Sequence, residues 1–180
     1  MFLEKLNLTI DLNQVILDMH EIVNLAGWGD INQISLVHRP NIVDKNEQWR
    51  DGIGSLFNGK EKIAQESDFT VVNELVPEYT KKILNDLAQS QNISIGRARL
   101  MNLPIHCGLG VHEDESVRYH LAIVTHKHAY MGVVSKNEMI PVMCYHIPAD
   151  GCFYKADTRM QHFVFNGNRY QRVHLVICPR

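Results

Sequence analysis

The residue types able to do chemistry concentrate in Val111-His112-Glu113-Asp114 and in the Arg118-Tyr119-His120-Leu121 that follows. A His and an Asp two apart on an extended strand point to the same face. One further His would place two imidazoles and one carboxylate on one side of a metal ion and leave the opposite positions open. That is the ligand set non-haem Fe(II) sites use for oxygen chemistry. The pair alone decides nothing. With 10 His and 10 Asp in 180 residues, chance supplies ~0.6 such pairs.

The third ligand is best sought in the last hairpin expected, from His162 to Arg172 around Asn166-Gly167. A two-residue loop pairs His162 with Gln171 and turns Arg172 to the opposite face. A three-residue loop, Asn166-Gly167-Asn168 with Gly167 at positive φ, pairs His162 with Arg172. The second register is preferred. It gathers His162, Arg172 and His174 on one face and Phe163, Phe165, Val173, Leu175 and Ile177 on the other. It also sets a guanidinium, suited to clamping a carboxylate, beside the candidate ligand.

An internal echo supports a polar interior. Arg118-Tyr119-His120-Leu121-Ala122-Ile123 and Arg172-Val173-His174-Leu175-Val176-Ile177 share the pattern Arg-x-His-Leu-x-Ile. As strands, both set Arg and His on one face and mainly apolar residues on the other. Buried cations need partners, so the enclosed space should hold anions, or a metal with anionic ligands.

The elements that must position these residues are mostly strands. Short apolar or alternating runs recur at 95–103, 109–113, 119–125, 130–134, 139–147, 153–156, 162–165 and 170–178. Turn-like stretches such as Lys136-Asn137, Ala149-Asp150-Gly151 and Asn166-Gly167 separate them. Eight short strands at near-regular spacing predict a closed or sandwiched β-fold, a barrel or jelly roll. Upstream, Leu12, Val15, Ile16, Met19, Ile22 and Val23 recur at helical spacing, with Asp11 as cap and Gly27 past the end. A strand is expected over 33–38 and another over 69–75. A second helix should follow Pro77, with Tyr79, Ile83, Leu84 and Leu87 on one face. The irregular 41–66 stretch contains Trp49-Arg50-Asp51-Gly52-Ile53-Gly54. It reads either as a loop near a binding surface or as an ordinary turn with Trp49 packed on the core.

Composition sets the outer bounds. The hydrophobic fraction of 45% and charged fraction of 21% are those of an ordinary globular domain, and 180 residues suffice for one core. A net charge of −2 provides no field for nucleic acid. Cys107, Cys144, Cys152 and Cys178 form no C-x-x-C pair, so free thiols in a reducing compartment are expected. No basic-then-apolar leader opens the chain, and no run nears the ~18 apolar residues of a membrane span. A cytoplasmic location is the expectation. Eight of the ten histidines follow residue 100, where the chemistry should sit.

These residues carry a family resemblance. His112-x-Asp114, then His162 and Arg172, with Arg118-x-His120 between, resembles the aspartyl/asparaginyl β-hydroxylase family of 2-oxoglutarate/Fe(II) oxygenases. So do the flanking Arg97-Ala98-Arg99-Leu100-Met101, Tyr145-His146-Ile147-Pro148-Ala149-Asp150-Gly151, Asp157-Thr158-Arg159 and Phe165-Asn166-Gly167. The likeness covers about residues 95–178 and is fainter around 33–40 and 51–56, toward short stand-alone members. It implies one oxygenase domain over 1–180: a double-stranded β-helix (jelly roll, cupin-like) over 93–178, covered on one face by the helices of a supporting 1–92. It implies His112, Asp114 and His162 as Fe(II) ligands and Arg172 as the clamp on the distal carboxylate of 2-oxoglutarate. Arg118 and His120 would meet the carboxylate end that chelates iron.

The activity implied is hydroxylation of an amino-acid-type substrate, a peptidyl Asp or Asn or a free amino acid. O₂ is consumed, and succinate and CO₂ are released. Asp114 sets the chain apart from related halogenating enzymes, in which that position is vacant for a halide. His106, His126, His128, His146 and His174 compete as ligands, but each by itself reads as a packed or surface residue, with a ligand-orienting role also open to His174. The competing reading is a cupin-like metal protein working without 2-oxoglutarate, suggested by His162-x-x-x-Asn166. It would need His126-x-His128 on a strand, has only the distant Glu138 to follow that pair, and leaves Arg118 and Arg172 idle.

Overall fold

The computed structural model describes residues 2–137 and 140–180. Glu138 and Met139, the latter expected to open the 139–147 strand, lie outside the described residues. In chain order the elements begin with β1 (Leu3–Thr9), α1 (Leu12–Ala26), β2 (Gln33–Ser35), β3 (Val37–His38) and α2 (Lys45–Gln48). There follow β4 (Phe57–Asn58), β5 (Glu61–Lys62), a 3₁₀ turn (Glu66–Asp68), β6 (Val71–Val72) and α3 (Glu78–Gln91). The remaining strands are β7 (Ile95–Leu103), β8 (Gly108–His112), β9 (Arg118–Val124), β10 (Ala129–Val134) and β11 (Pro141–Tyr145). The last three are β12 (Cys152–Ala156), β13 (His162–Asn166) and β14 (Arg172–Pro179).

Two antiparallel sheets carry the architecture. The larger runs β1-β12-β9-β14-β7-β2 and the smaller β11-β10-β13-β8. All eight strands expected after residue 93 are present, within two residues of the expected ends where described. Alternation along the central strands explains the layers. Tyr119, Leu121 and Ile123 of β9 and Val173, Leu175 and Ile177 of β14 face a core shared with the helices. The intervening Ala122, with Tyr154 and Ala156 of β12, meets Met131, Val133 and Val164 of the small sheet in a second apolar cluster. Helices thus cover one face of the large sheet, and the other face looks across to the small sheet.

Helix α1 follows its expected bounds. The Asp11 carboxylate accepts from the Asn13 and Gln14 amides, and Gly27 closes the end at φ 65°. Val15, Met19 and Ile22 form its buried stripe. Helix α3 starts at Pro77, which offers no side-chain cap. A residue of α1 serves instead: buried Asp18 accepts from the Thr80 amide at 2.9 Å and its hydroxyl at 2.7 Å. The carboxylate therefore caps a neighbouring helix where exposed N–H groups are otherwise unmet. Asp18→Ala should cost about 1–3 kcal/mol, read as a lowered urea midpoint at unchanged slope. An unchanged midpoint would mean that water replaces the cap.

Three expectations are corrected. The 33–38 strand breaks at Leu36, because β2 pairs with β7 while β3 pairs with β6. The 69–75 strand shrinks to β6, two residues long. β1, which had no counterpart among the expected strands, joins the large sheet against β12. With β2 it shows that the 1–92 segment contributes to the sheet as well as covering it. Trp49 is core, 3% exposed, whereas Gly54 to Phe57 just beyond it reach the pocket described below. The four cysteines are free, Cys152 and Cys178 buried, Cys107 and Cys144 exposed. No described helix is long and apolar enough to cross a membrane.

Candidate active site

A pocket of about 700 Å³ opens between the two sheets and is lined by His112, Asp114, His162, Arg118, His120 and Arg172, among others. All six candidate site residues therefore share one space. His112, Asp114 and His162 bring one ligand atom each to within 4.8 Å of one another. The two imidazoles come from neighbouring strands, with His112 directly opposite His162 in the β8–β13 ladder and rings 4.3 Å apart. Asp114 lies past the end of β8 and not on the strand. Its backbone N–H donates to the Thr158 carbonyl at 2.8 Å, and that bond sets its position.

The histidine tautomers follow from their partners. His112 Nδ1 lies 2.7 Å from the Gly110 carbonyl and His162 Nδ1 lies 2.9 Å from the Met160 carbonyl. A carbonyl can only accept, so each Nδ1 carries the proton and each Nε2 presents a lone pair. Burial lowers the His162 pKa and outweighs the hydrogen bond to the Met160 carbonyl, which acts to raise it. Two imidazoles whose Nδ1 is tied to a carbonyl, leaving Nε2 to face a metal, and one carboxylate form a set that fits a divalent transition metal.

The expected hairpin is absent, and the reason is instructive. β13 pairs with β10 and β8, whereas β14 pairs with β7 and β9. His162 and Arg172 stand in different sheets. They share the pocket because the sheets face each other, not because they are cross-strand neighbours. Asn166-Gly167-Asn168 forms the corner between the sheets. Buried Asn166 donates through Nδ2 to the Leu103, Pro104 and Tyr170 carbonyls and accepts from the Asn168 amide. Gly167 does not take the positive φ expected of it. This corner also accounts for His162-x-x-x-Asn166 without any cupin chemistry. His126 and His128 lie between β9 and β10 rather than on a strand, and neither joins the metal-type cluster among the described residues.

The Arg-x-His echo behaves as expected. β9 and β14 are adjacent, and Arg118, His120, Arg172 and His174 are all buried on the pocket side. Arg172 Nη2 lies 3.0 Å from His174 Nδ1, which accepts because a guanidinium only donates. Arg172 has no carboxylate within 4 Å among the described residues, and burial lowers its pKa to about 9, still a cation at neutral pH. Burial, then the Arg172 charge, holds His120 and His174 well below the ordinary histidine range, so both are neutral. Both ring nitrogens of His120 are buried with no hydrogen-bond partner. An unpaired cation beside an unsatisfied imidazole is a costly wall unless an anion completes it. A carboxylate fits that position.

Four residues at the site went unassigned in the sequence reading. Glu66, from the 3₁₀ turn, bridges two arginines: Arg97 at 2.8 Å through both Nε and Nη2, and Arg118 at 3.0 Å. Arg118 also lies 3.4 Å from Asp114, which links Glu66 to the candidate metal carboxylate. Arg97 and Arg99 alternate with apolar residues on β7, the same signal that marked β9 and β14. Thr158 and Glu66 carry no such signal, because they sit in turns. Gly96 makes room for Glu66, since a Cβ there would come within 2.7 Å of the Glu66 carbonyl oxygen.

No protein-family profile and no curated protein sequence is similar to this chain. Solved structures do resemble it. IDO from Bacillus thuringiensis aligns over 99% of this chain and 89% of that one, at TM-score 0.54 and 9% identity. A viral collagen prolyl hydroxylase from Paramecium Bursaria Chlorella virus-1, in complex with 2OG, aligns over 100% and 97% at TM-score 0.48 and 7% identity. A 2OG-Fe(II) oxygenase family oxidoreductase from Burkholderia pseudomallei aligns at TM-score 0.47 and 17% identity, over 59% of each chain. The chain thus spans about three fifths of that oxidoreductase. At 9% identity the likeness to the Bacillus thuringiensis protein is one of fold alone.

Proposed function

We propose that this protein is a 2-oxoglutarate- and Fe(II)-dependent oxygenase that hydroxylates an amino-acid-type substrate, built on a double-stranded β-helix of the aspartyl/asparaginyl β-hydroxylase type. The observation that carries the reading is a single pocket holding two pre-set imidazoles, one carboxylate and a buried arginine without an anion. Each residue then has a task. His112 and His162 offer Nε2 to the metal, and Asp114, held by the Thr158 carbonyl and Arg118, completes one face. Arg172 takes the distal carboxylate of 2-oxoglutarate, with His174 accepting one of its protons and fixing its plane. Neutral His120, unsatisfied at both nitrogens, donates to the carboxylate nearer the metal.

When bound, Fe(II), 2-oxoglutarate and O₂ supply the oxidising power for hydroxylation, with succinate and CO₂ as co-products. The protein's part is to orient these groups and to wall the site from bulk water. Asp114 fills the position a halide would need, which supports hydroxylation over halogenation. The whole chain acts as one oxygenase domain in this reading, and its substrate is a small molecule or peptide.

The test is direct. Anaerobic mixing of the apo-protein with Fe(II) and 2-oxoglutarate should give the visible charge-transfer band of the chelate, and admitting air should yield succinate slowly. No band and no succinate would overturn the assignment.

A further inference from the structure

Four guanidiniums face the pocket: Arg97, Arg99, Arg118 and Arg172. Its acids are fewer. Glu113 and Glu115 on the rim are paired with Lys136 and Lys62, which leaves Glu66 and Asp114. Glu66 is divided between Arg97 and Arg118. A divalent ion would be met by Asp114 and one carboxylate of 2-oxoglutarate, and Arg172 by the other. Arg99 is left over.

Its surroundings are those of a cation awaiting a partner. Arg99 is 5% exposed, and its Nε is buried with no hydrogen-bond partner. Its other contacts are all to neutral groups: Gln33 Oε1 at 3.2 Å, the Gly54 carbonyl at 3.4 Å and the Cys178 sulfur at 3.9 Å. Burial lowers its pKa, as expected of a cation with no anion against it. Nor does it double the Arg172 clamp. Arg99 lies opposite Val176, which lies opposite His120. Arg172 is four residues back along the same strand, about 13 Å away. Arg99 therefore marks a different end of the pocket, beside Gln33 and Gly54.

We propose that Arg99 anchors a carboxylate of the substrate, so that the substrate is a free acid of amino-acid type and not an uncharged amide. This rests on the oxygenase reading and narrows it. A planar guanidinium fork matches a carboxylate with two parallel bonds. Gln33 holds that fork in place, since its Oε1 accepts from both Arg99 and the Gly54 amide.

The experiment follows the arginine Nε–H resonances of the full chain loaded with Zn(II) and 2-oxoglutarate, the Arg99 signal being assigned by its loss in Arg99→Met. The probes are the common free L-amino acids, their carboxamides and inorganic phosphate. At least one acid should shift the Arg99 signal while its amide does not, and Arg99→Met should weaken that acid about tenfold to a hundredfold. No response to any acid, amides binding as well as acids, or phosphate binding more tightly than every acid would overturn the proposal. Without ligands, Arg99→Met should melt at the same or a higher temperature, because it removes an unpaired buried cation. A lower melting temperature would make Arg99 a structural prop and sink the idea. The titration can be repeated without 2-oxoglutarate, so failure of the oxygenase reading and failure of the Arg99 assignment are separable.

Discussion

Arg172→Met is expected to weaken 2-oxoglutarate binding by about 30-fold to several thousandfold, the roughly 2–5 kcal/mol that follows from cutting one side of a buried charged pair. Metal affinity should change by no more than about threefold, because among the described residues Arg172 touches no candidate ligand and its side chain bonds only to His174. The physical basis is asymmetric. In the free protein the guanidinium is buried against a neutral ring, so the unbound state already bears most of the desolvation cost. An arriving carboxylate recovers it, and methionine removes both the cost and the recovery. Equilibrium titration with Mn(II) as a redox-silent stand-in separates the two affinities. Equal loss of both would show that Arg172 supports the site's structure instead of binding the co-substrate.

Glu66→Ala should damage the fold severely. It leaves Arg97 and Arg118, both buried, without their shared anion. Removing one partner of such a cluster costs about 3–5 kcal/mol, and for a chain of this size that is a fall in Tm on the order of 6–20 °C. Metal affinity should drop too, since Arg118 would no longer be held between Glu66 and Asp114. Glu66 also makes a pH signature. Burial alone would raise its pKa, but the hydrogen bonds and charge of Arg97, then the charge of Arg118, outweigh burial and hold it below 4.5. On acidification the unfolded chain therefore takes up that proton first. The stabilisation is complete above the ordinary carboxylate range and is lost as pH falls through 4.5 toward the folded value. Urea unfolding from pH 7 to pH 4 should show a loss that Glu66→Gln reduces. An identical pH profile in Glu66→Gln would assign the acid sensitivity to other groups.

The two predictions differ in how far the sequence foretold them. Arg172 was legible from its own strand, because the period-2 alternation of β14 separates Arg172 and His174 from Val173, Leu175 and Ile177. Nothing local marks Glu66. It sits in an irregular stretch whose backbone is placed by contacts with β7 and β14, distant in sequence, and its value depends wholly on arginines 31 and 52 residues away.

The same division holds for the whole chain. Side-chain alternation and helical spacing are local properties, and they determined the eight C-terminal strands, α1 with both of its caps, α3, and the faces of His112, Arg118, His120 and Arg172. Which strands pair is not local. Asn166-Gly167-Asn168 satisfies hairpin chemistry as well as it satisfies a corner between sheets. Only the bonds from Asn166 to Leu103 and Pro104, more than sixty residues away, decide for the corner. The pocket was thus expected from a hairpin that does not form, and it exists because two sheets turn their polar positions toward each other. Glu66, Thr158 and the unpaired charge of Arg99 belong to tertiary structure alone, since charge balance in a buried pocket is a property of every wall at once.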